Sequence, residues 1–282
     1  MKIAVLSGKG GTGKTFVSVN LAVAFGECSY LDCDVEEPNG QLFFKPEIIK
    51  EHRVCEMMPA FNKDKCDGCR KCVDFCKFNA LAFIAGRPFV FPEVCHPCGG
   101  CAMVCPNDAV TSEEKEVGKV LIGKSGNVDF VCGKMNIGEA SGVPIIKEIF
   151  KRVPENPNIV VDCPPGSGCM AMESISHVDY CILVAEPTEF GKQNLEMVYK
   201  LVKIFNKPIG VILNKCTNEK NPSEEFCREN NIDVIGKLPF TRATGKETAQ
   251  GNIIYNIDQE MKEKFDQICE TVKGQVRPWR KF

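Results

Sequence analysis

Three things are scarce in this sequence, and each scarcity narrows what the chain can do. Net charge is nearly absent: 35 Lys and Arg against 37 Asp and Glu leave a formal −2. No strongly basic surface therefore marks nucleic acid or an anionic membrane as a main partner, and neither is expected. Long apolar runs are missing too; none approaches the roughly 18 residues that a membrane span requires. The first residues pass straight into a strand-like Lys2-Ile3-Ala4-Val5-Leu6 and lack a secretory layout, so the expected location is the cytoplasm. The rest of the composition is ordinary, with 44% hydrophobic and 26% charged residues. At 282 residues there is room for one large α/β domain plus a small module.

Cysteine, by contrast, is abundant, with 18 residues. Without an export signal and in a reducing compartment, thiolate ligands are the expectation rather than disulfides. Eight of them form an internal repeat: Cys66-x2-Cys69-x2-Cys72-x3-Cys76 returns 29 residues later as Cys95-x2-Cys98-x2-Cys101-x3-Cys105. The echo continues beyond the thiols, Ala80-Leu81 matching Ala109-Val110. Two such runs are the pattern of a two-cluster [4Fe–4S] module, in which three closely spaced cysteines wrap one cubane and the fourth ligates the other. The expected ligand sets are Cys66, Cys69, Cys72 and Cys105 for one cluster, and Cys95, Cys98, Cys101 and Cys76 for the second. Zinc is the weaker reading, since tetrahedral zinc sites rarely use such even triplets. Pro106 follows the second run as in bacterial ferredoxins, whereas Lys77 holds that place after the first. His96, inside the second run, reads as a solvated loop residue. The module is assigned to 61–111, with a hairpin of Leu81–Ile84 and Phe89–Phe91 about a turn at Gly86-Arg87-Pro88. It interrupts a discontinuous domain of 1–60 and 112–282.

Around that insert, apolar runs alternate with helical periodicity. Strands are expected at Lys2–Leu6, Ser29–Asp32, Asn158–Asp162, Tyr180–Ala185, Ile209–Asn214 and Asp233–Ile235. Helices should begin near Gly13, Pro144, Lys192, Pro222 and Asp258. Alternation of this kind implies an α/β fold, a mainly parallel sheet flanked by helices. The last helix carries Met261, Phe265, Ile268 and Val272 on one stripe. Core packing explains that stripe better than a membrane-binding tail, although the basic end Arg277–Phe282 is where such a tail would lie.

Immediately after the first strand comes Gly8-Lys9-Gly10-Gly11-Thr12-Gly13-Lys14-Thr15, a G-x4-G-K-[ST] phosphate loop in its strand–loop–helix context. Glycines allow the backbone amides to turn toward phosphate, and the helix N-terminus adds a fixed positive end. Lys14 is placed to reach the β- and γ-phosphates of ATP, and the Thr15 hydroxyl to hold Mg²⁺. Ile159-Val160-Val161-Asp162 is an apolar strand closing on an acid, the layout of a carboxylate that holds Mg²⁺ through water. Asp32 and Asp34 end another strand two residues apart.

With Lys9 near the start of the loop, this set resembles the deviant Walker A ATPases of the MinD/ParA/nitrogenase-iron-protein superfamily. The resemblance spans nearly the whole chain outside the insert, and together with the insert it matches MinD-superfamily ATPases that carry a ferredoxin domain. It implies that Lys9 contacts nucleotide held by a partner subunit, hence a homodimer when ATP is bound. It further implies Asp34 in switch I near the attacking water, Asp162 on Mg²⁺, and Gly166 of Pro164-Pro165-Gly166 sensing the γ-phosphate. Asn214 and the Leu238-Pro239-Phe240 loop would meet the adenine. Lys9, Lys14, Asp34 and Asp162 are the catalytic set so implied.

The function this suggests is ATP hydrolysis coupled through dimer switching to low-potential electron transfer or to metallocofactor and cluster maturation. A positioning or regulatory switch with the clusters as redox sensor is one alternative, and a cluster carrier another. The bridging cysteines of the nitrogenase iron protein and the C-terminal cysteine pair of Mrp-type carriers have no counterparts, which favours a redox or accessory role. Most remaining cysteines read as small buried hydrophobes. Cys33, Cys163 and Cys169 adjoin the switch segments, and a bridging cluster on them is the lesser reading.

Overall fold

A computed structural model of the chain describes residues 1–216 and 221–276. The basic end 277–282 lies outside the described residues. In chain order the elements are β1 (Lys2–Leu6), α1 (Lys14–Ala24), β2 (Cys28–Asp32), α2 (Gly40–Phe44) and β3 (Glu47–Phe61). Next come α3 (Lys71–Phe75), β4 (Leu81–Ile84), β5 (Arg87–Val90), α4 (Gly100–Met103), β6 (Val110–Ser125) and β7 (Val128–Met135). The remainder is α5 (Val143–Lys151), β8 (Asn158–Asp162), α6 (Cys169–Ser176), β9 (Tyr180–Ala185), α7 (Glu189–Ile204), β10 (Ile209–Cys216), α8 (Pro222–Glu229), β11 (Asp233–Pro239), α9 (Arg242–Ala249) and α10 (Gln259–Gln275).

Alternation along β1 shows why this is a layered α/β fold. Ala4 and Leu6 point into a core completed by α5, α6, α7 and α8. Ile3 and Val5 point the other way, against α1 and α10. Both faces of the strand are thus covered, as a parallel sheet requires. The sheet runs β11-β10-β9-β1-β8-β2-β7-β6-β3. Strands β11 through β7 are all parallel, and β6 with β3 add an antiparallel edge. The stripe of Met261, Phe265, Ile268 and Val272 is fully used in the second core. Among the described residues no helix is long and apolar enough to cross a membrane.

Each strand expected from the periodicity is present, β10 and β11 running further than expected. Helix α7 starts at Glu189 rather than near Lys192, because Thr188 caps it by accepting the Gly191 amide. Strands β3, β6 and β7 and helices α2, α6 and α9 were not anticipated. The first half of β6 reads Thr111-Ser112-Glu113-Glu114-Lys115-Glu116, which has no apolar alternation. It is a strand because β3 pairs with it from Glu47↔Lys124 to Phe61↔Val110.

That pairing produces a long ribbon. Strand β7 accompanies β6 only as far as Gly118↔Met135, so beyond this point β3 and β6 leave the sheet as two strands. The departure is marked by a bulge that places Val117 opposite no partner, between the pairs Val54↔Gly118 and Cys55↔Glu116. At Gly118 a Cβ would lie 2.3 Å from the Lys134 carbonyl oxygen, so only glycine lets the strands approach here.

Residues 62–109 sit at the far end of the ribbon and repeat their own backbone. Arg70 and Gly99, 29 positions apart, both take left-handed φ at the start of α3 and α4. So do Asn79 (φ 54°) and Asp108 (φ 46°), again 29 apart. The hairpin turn falls at Ala85-Gly86, and Ile84 pairs with Arg87, so Arg87-Pro88 belong to the strand rather than the turn. Proline is accommodated because β5 is an edge. In this segment only Ala80, Leu81, Gly100 and Ala109 are buried, too small a core to organise the loops by itself.

In the main body, Phe130 is fully buried beside Tyr30 (5.8 Å between ring centroids) and Phe44 (6.0 Å). Phe130→Ala is expected to cost about 3–5 kcal/mol, read as a lowered midpoint in urea unfolding with an unchanged slope.

Candidate functional site

The phosphate loop, the acids and the switch segment all lie beyond the carboxyl ends of β1, β2 and β8, three strands that are neighbours in the sheet. This is where open α/β sheets form ligand crevices. A cavity of about 560 Å³ opens there, lined by Lys9, Gly10, Gly11, Gly13, Lys14, Thr15, Asp34 and Pro165 among others. Helix α1 starts directly from the loop, so its first-turn amides have no intrahelical acceptors and remain for a ligand. Gly13 adopts φ +93°, and a Cβ there would fall 2.2 Å from the Asn214 Nδ2. Conformation and space both require glycine. Gly8 is equally crowded, a Cβ meeting the Asn194 carbonyl oxygen at 2.4 Å.

Lys14 is the buried centre of the site. Its ammonium donates to Asp162 Oδ1 at 2.5 Å and reaches Asp34 Oδ2 at 3.5 Å. Burial works to deprotonate it, but the charges of Asp162 and Asp34 outweigh burial and raise its pKa. The second oxygen of Asp162 accepts from the Tyr30 hydroxyl at 2.9 Å. Asp32, two residues before Asp34, is wholly buried and accepts from the Gly40 amide at 2.8 Å. Burial and the nearby Asp162 push its pKa up to about 8; burial also pushes Asp34 to about 6, against the pull of Lys14. Two carboxylates thus contact one lysine and a third, Asp32, is buried nearby, which leaves an excess of negative charge at this point.

Lys9 points elsewhere. It pairs with Glu186 Oε2 at 2.7 Å and lies 5.2 Å from the Phe190 ring centroid. Glu186 also pairs with Lys215 at 2.6 Å, and Lys215 in turn donates to the Gly11 carbonyl at 2.7 Å. Glu186 directly follows β9, and the fold makes it the counter-charge for both lysines. Asn214 is buried behind the loop and donates to the Thr12 carbonyl at 2.8 Å. Gly166, at φ +85°, donates its amide to the Ser7 carbonyl at 2.9 Å. Pro239 ends β11 and does not line this cavity.

The cysteine runs gather in two further cavities. One is lined by Cys66, Cys69, Cys72 and Cys105, the other by Cys76, Cys95, Cys98 and Cys101. Each cavity thus receives three thiols from one run and the fourth from the other. Burial raises the Cys72 and Cys101 thiols, while the backbone groups of Val73 and Ala102 work in the opposite direction. The Ala109 amide donates to Cys105 Sγ at 3.3 Å. Among the described residues no three His, Cys, Asp or Glu side chains converge tightly enough to grip a single metal ion. His96 is exposed and lies against Phe78 with the rings tilted, 4.4 Å between centroids.

Cys33 and Cys163 are completely buried, and burial holds both thiols well above their ordinary pKa. They are packing residues of the first core, which removes them from any bridging site at the surface. Cys169, at the start of α6, is exposed.

Residues 3–254 match the CobQ/CobB/MinD/ParA nucleotide binding domain family. The chain belongs to this family. An uncharacterized protein of Methanocaldococcus jannaschii is 30% identical over 227 residues, covering 76% of this chain and 80% of that protein. From the same organism, a protein named iron-sulfur cluster carrier protein is 23% identical over 297 residues, covering 98% and 84%. Among solved structures, the cell division ATPase MinD of Pyrococcus furiosus superposes with a TM-score of 0.61 at 20% identity, covering 97% and 98%. A MinD from Pyrococcus horikoshii complexed with Mg-ADP gives 0.60 at 18% identity, covering 99% of both chains. The chain is thus a MinD/ParA-type P-loop protein in family and in fold.

The acid cluster sets a pH dependence. Asp32 and Asp34 bind protons more tightly in the folded chain than at the ordinary carboxylate value near 3.9. Their contribution to stability is full below that value and is lost as pH rises through about 6 and about 8. The nucleotide-free protein should therefore lose thermal stability between pH 5 and pH 8, and Asp32→Asn should flatten the decline. An unchanged slope in melting curves of that variant would remove Asp32 from the account.

Proposed function

We propose that this chain binds and hydrolyses MgATP and carries two [4Fe–4S] clusters, and that nucleotide-driven closure of a homodimer governs low-potential electron delivery to a protein client. The observation that carries this reading is the pairing of one phosphate cavity, lined by the phosphate loop with Lys14 and Asp34, with two cavities that each collect four cysteines in crossed fashion. The donor sets fit the groups. Eight thiols with backbone amides nearby suit cubane ligation, and carboxylates with a threonine hydroxyl suit Mg²⁺.

The steps belong to the chain's own side chains. Incoming phosphate oxygens compete with Asp162 and Asp34 for Lys14, which frees those carboxylates to hold Mg²⁺ with Thr15 and to orient water. Gly166 exchanges the Ser7 carbonyl for a phosphate oxygen. Lys9 leaves Glu186 to reach nucleotide in the second subunit, and Lys215 remains as the partner of Glu186. Cubanes in the cysteine cavities would supply one-electron chemistry.

A second reading, cluster carriage, is favoured by the Methanocaldococcus relative named a cluster carrier. The two separate at the bench, since a carrier loses its iron to an apo-acceptor under MgATP while an electron donor keeps it.

Anaerobic reconstitution should give about eight irons per chain with cubane EPR signals on reduction. Cys69→Ala and Cys98→Ala should each remove about half of that iron. Lys14→Ala should reduce MgATPase activity by at least about 100-fold with the iron retained. Stoichiometric zinc in place of iron, or ATP turnover that survives Lys14→Ala, would sink the proposal.

A further inference from the structure

Besides the three cavities above, a cleft of about 420 Å³ runs between the cysteine segment and the ATPase body. One wall is the Cys95–Cys98 stretch, part of the second cysteine set. The opposite wall is formed by Glu139, Val143, Lys147 and Cys169 of the main body, and the bulged Val117 lies between the two. Lys115 pairs with Glu139 at 2.9 Å, so the foot of the ribbon is tied to the main-body wall.

The segment from Pro165 to Cys169 has one end in each place. Pro165 lines the phosphate cavity and Cys169 lines the cleft. Between them Gly166 holds the Ser7 carbonyl through its amide, a bond that a bound γ-phosphate would compete for. Exchange of that acceptor would give the segment a second position, the two-state element that coupling between distant sites requires. Among the described residues, the cavity of the first cysteine set is lined by residues between 61 and 110.

We propose that this cleft is the route by which the nucleotide state reaches the second cysteine set alone: displacement of the 165–169 segment moves the main-body wall against the Cys95–Cys98 loop, while the first set is left undisturbed as the end that faces the client. The inference rests on the reading of the phosphate loop and the cysteine cavities given under Proposed function. It adds an order to them, with one set answering to ATP and the other serving as the outlet.

Hydrogen–deuterium exchange on the intact, anaerobically reconstituted chain tests it, comparing a non-hydrolysable ATP analogue with ADP, both with Mg²⁺. Exchange in 93–99 and 139–147 should change about fivefold or more, and that in 63–72 by less than about twofold. Cys169→Trp, which fills the cleft from an exposed position, should keep nucleotide-dependent protection at 8–15 and lose the response at 93–99. Lys147→Glu should weaken that response without touching 8–15. Equal responses in 63–72 and 93–99 would overturn the proposal, as would a response at 93–99 that both variants leave intact. Protection at 8–15 with none at 93–99 would overturn it as well. Absence of protection at 8–15 in the unaltered chain would instead bring down the nucleotide reading itself, and this inference with it.

Discussion

The structure turns on one buried ammonium. Lys14 stands among Asp32, Asp34 and Asp162 at the point where the ends of β1, β2 and β8 meet. Burying a lysine is costly unless it is paired, and burying three carboxylates beside one lysine is tolerable only if some take up protons. The raised pKa values of Asp32 and Asp34 are that accommodation. They also describe a site that is electrostatically incomplete and that a magnesium nucleotide would complete. Tyr30 links this site to the aromatic packing of Phe44 and Phe130, so the same side chain supports the core and steadies Asp162.

From this centre the fold extends in two directions with different physics. Toward β11 the sheet is parallel, and β1, β9 and β10 are mostly buried. Toward β3 it ends in a ribbon with many charged and exposed residues, which the bulge at Val117 turns away from the sheet. The ribbon positions a cysteine-rich segment that has almost no core of its own. Two cavities lined by four thiols each are the places where a bound group would do the organising that side-chain packing does elsewhere.

How much of this could be read beforehand depended on how local each feature was. The phosphate loop is contiguous and its glycines have conformational reasons to be there, so its place after β1 was evident. The 29-residue repeat was evident as well, and it reappears in the backbone as matched left-handed residues at Arg70 and Gly99 and at Asn79 and Asp108. The charged strands β3 and β6 were not, because their largely exposed residues show no sustained apolar period and the pairing is specified by the partner strand. Glu186 had no assigned role, since its meaning comes from Lys9 and Lys215, which meet it only in space. Asn214 was expected at the adenine through resemblance; the fold shows its amide holding the loop at Thr12.

Taken alone, the sequence determined the α/β class, the phosphate loop, the second acid Asp162 and the grouping of eight cysteines into two runs. Those features are encoded by spacing within a few residues, where chain geometry leaves little choice. Only the tertiary structure decided that Cys33 and Cys163 are core, that Lys9 rests on Glu186, and that the second cysteine set shares a cleft with the ATPase body. Each of those depends on which distant segments the sheet order and the ribbon bring together, and long-range burial and pairing, rather than local spacing, fix that order.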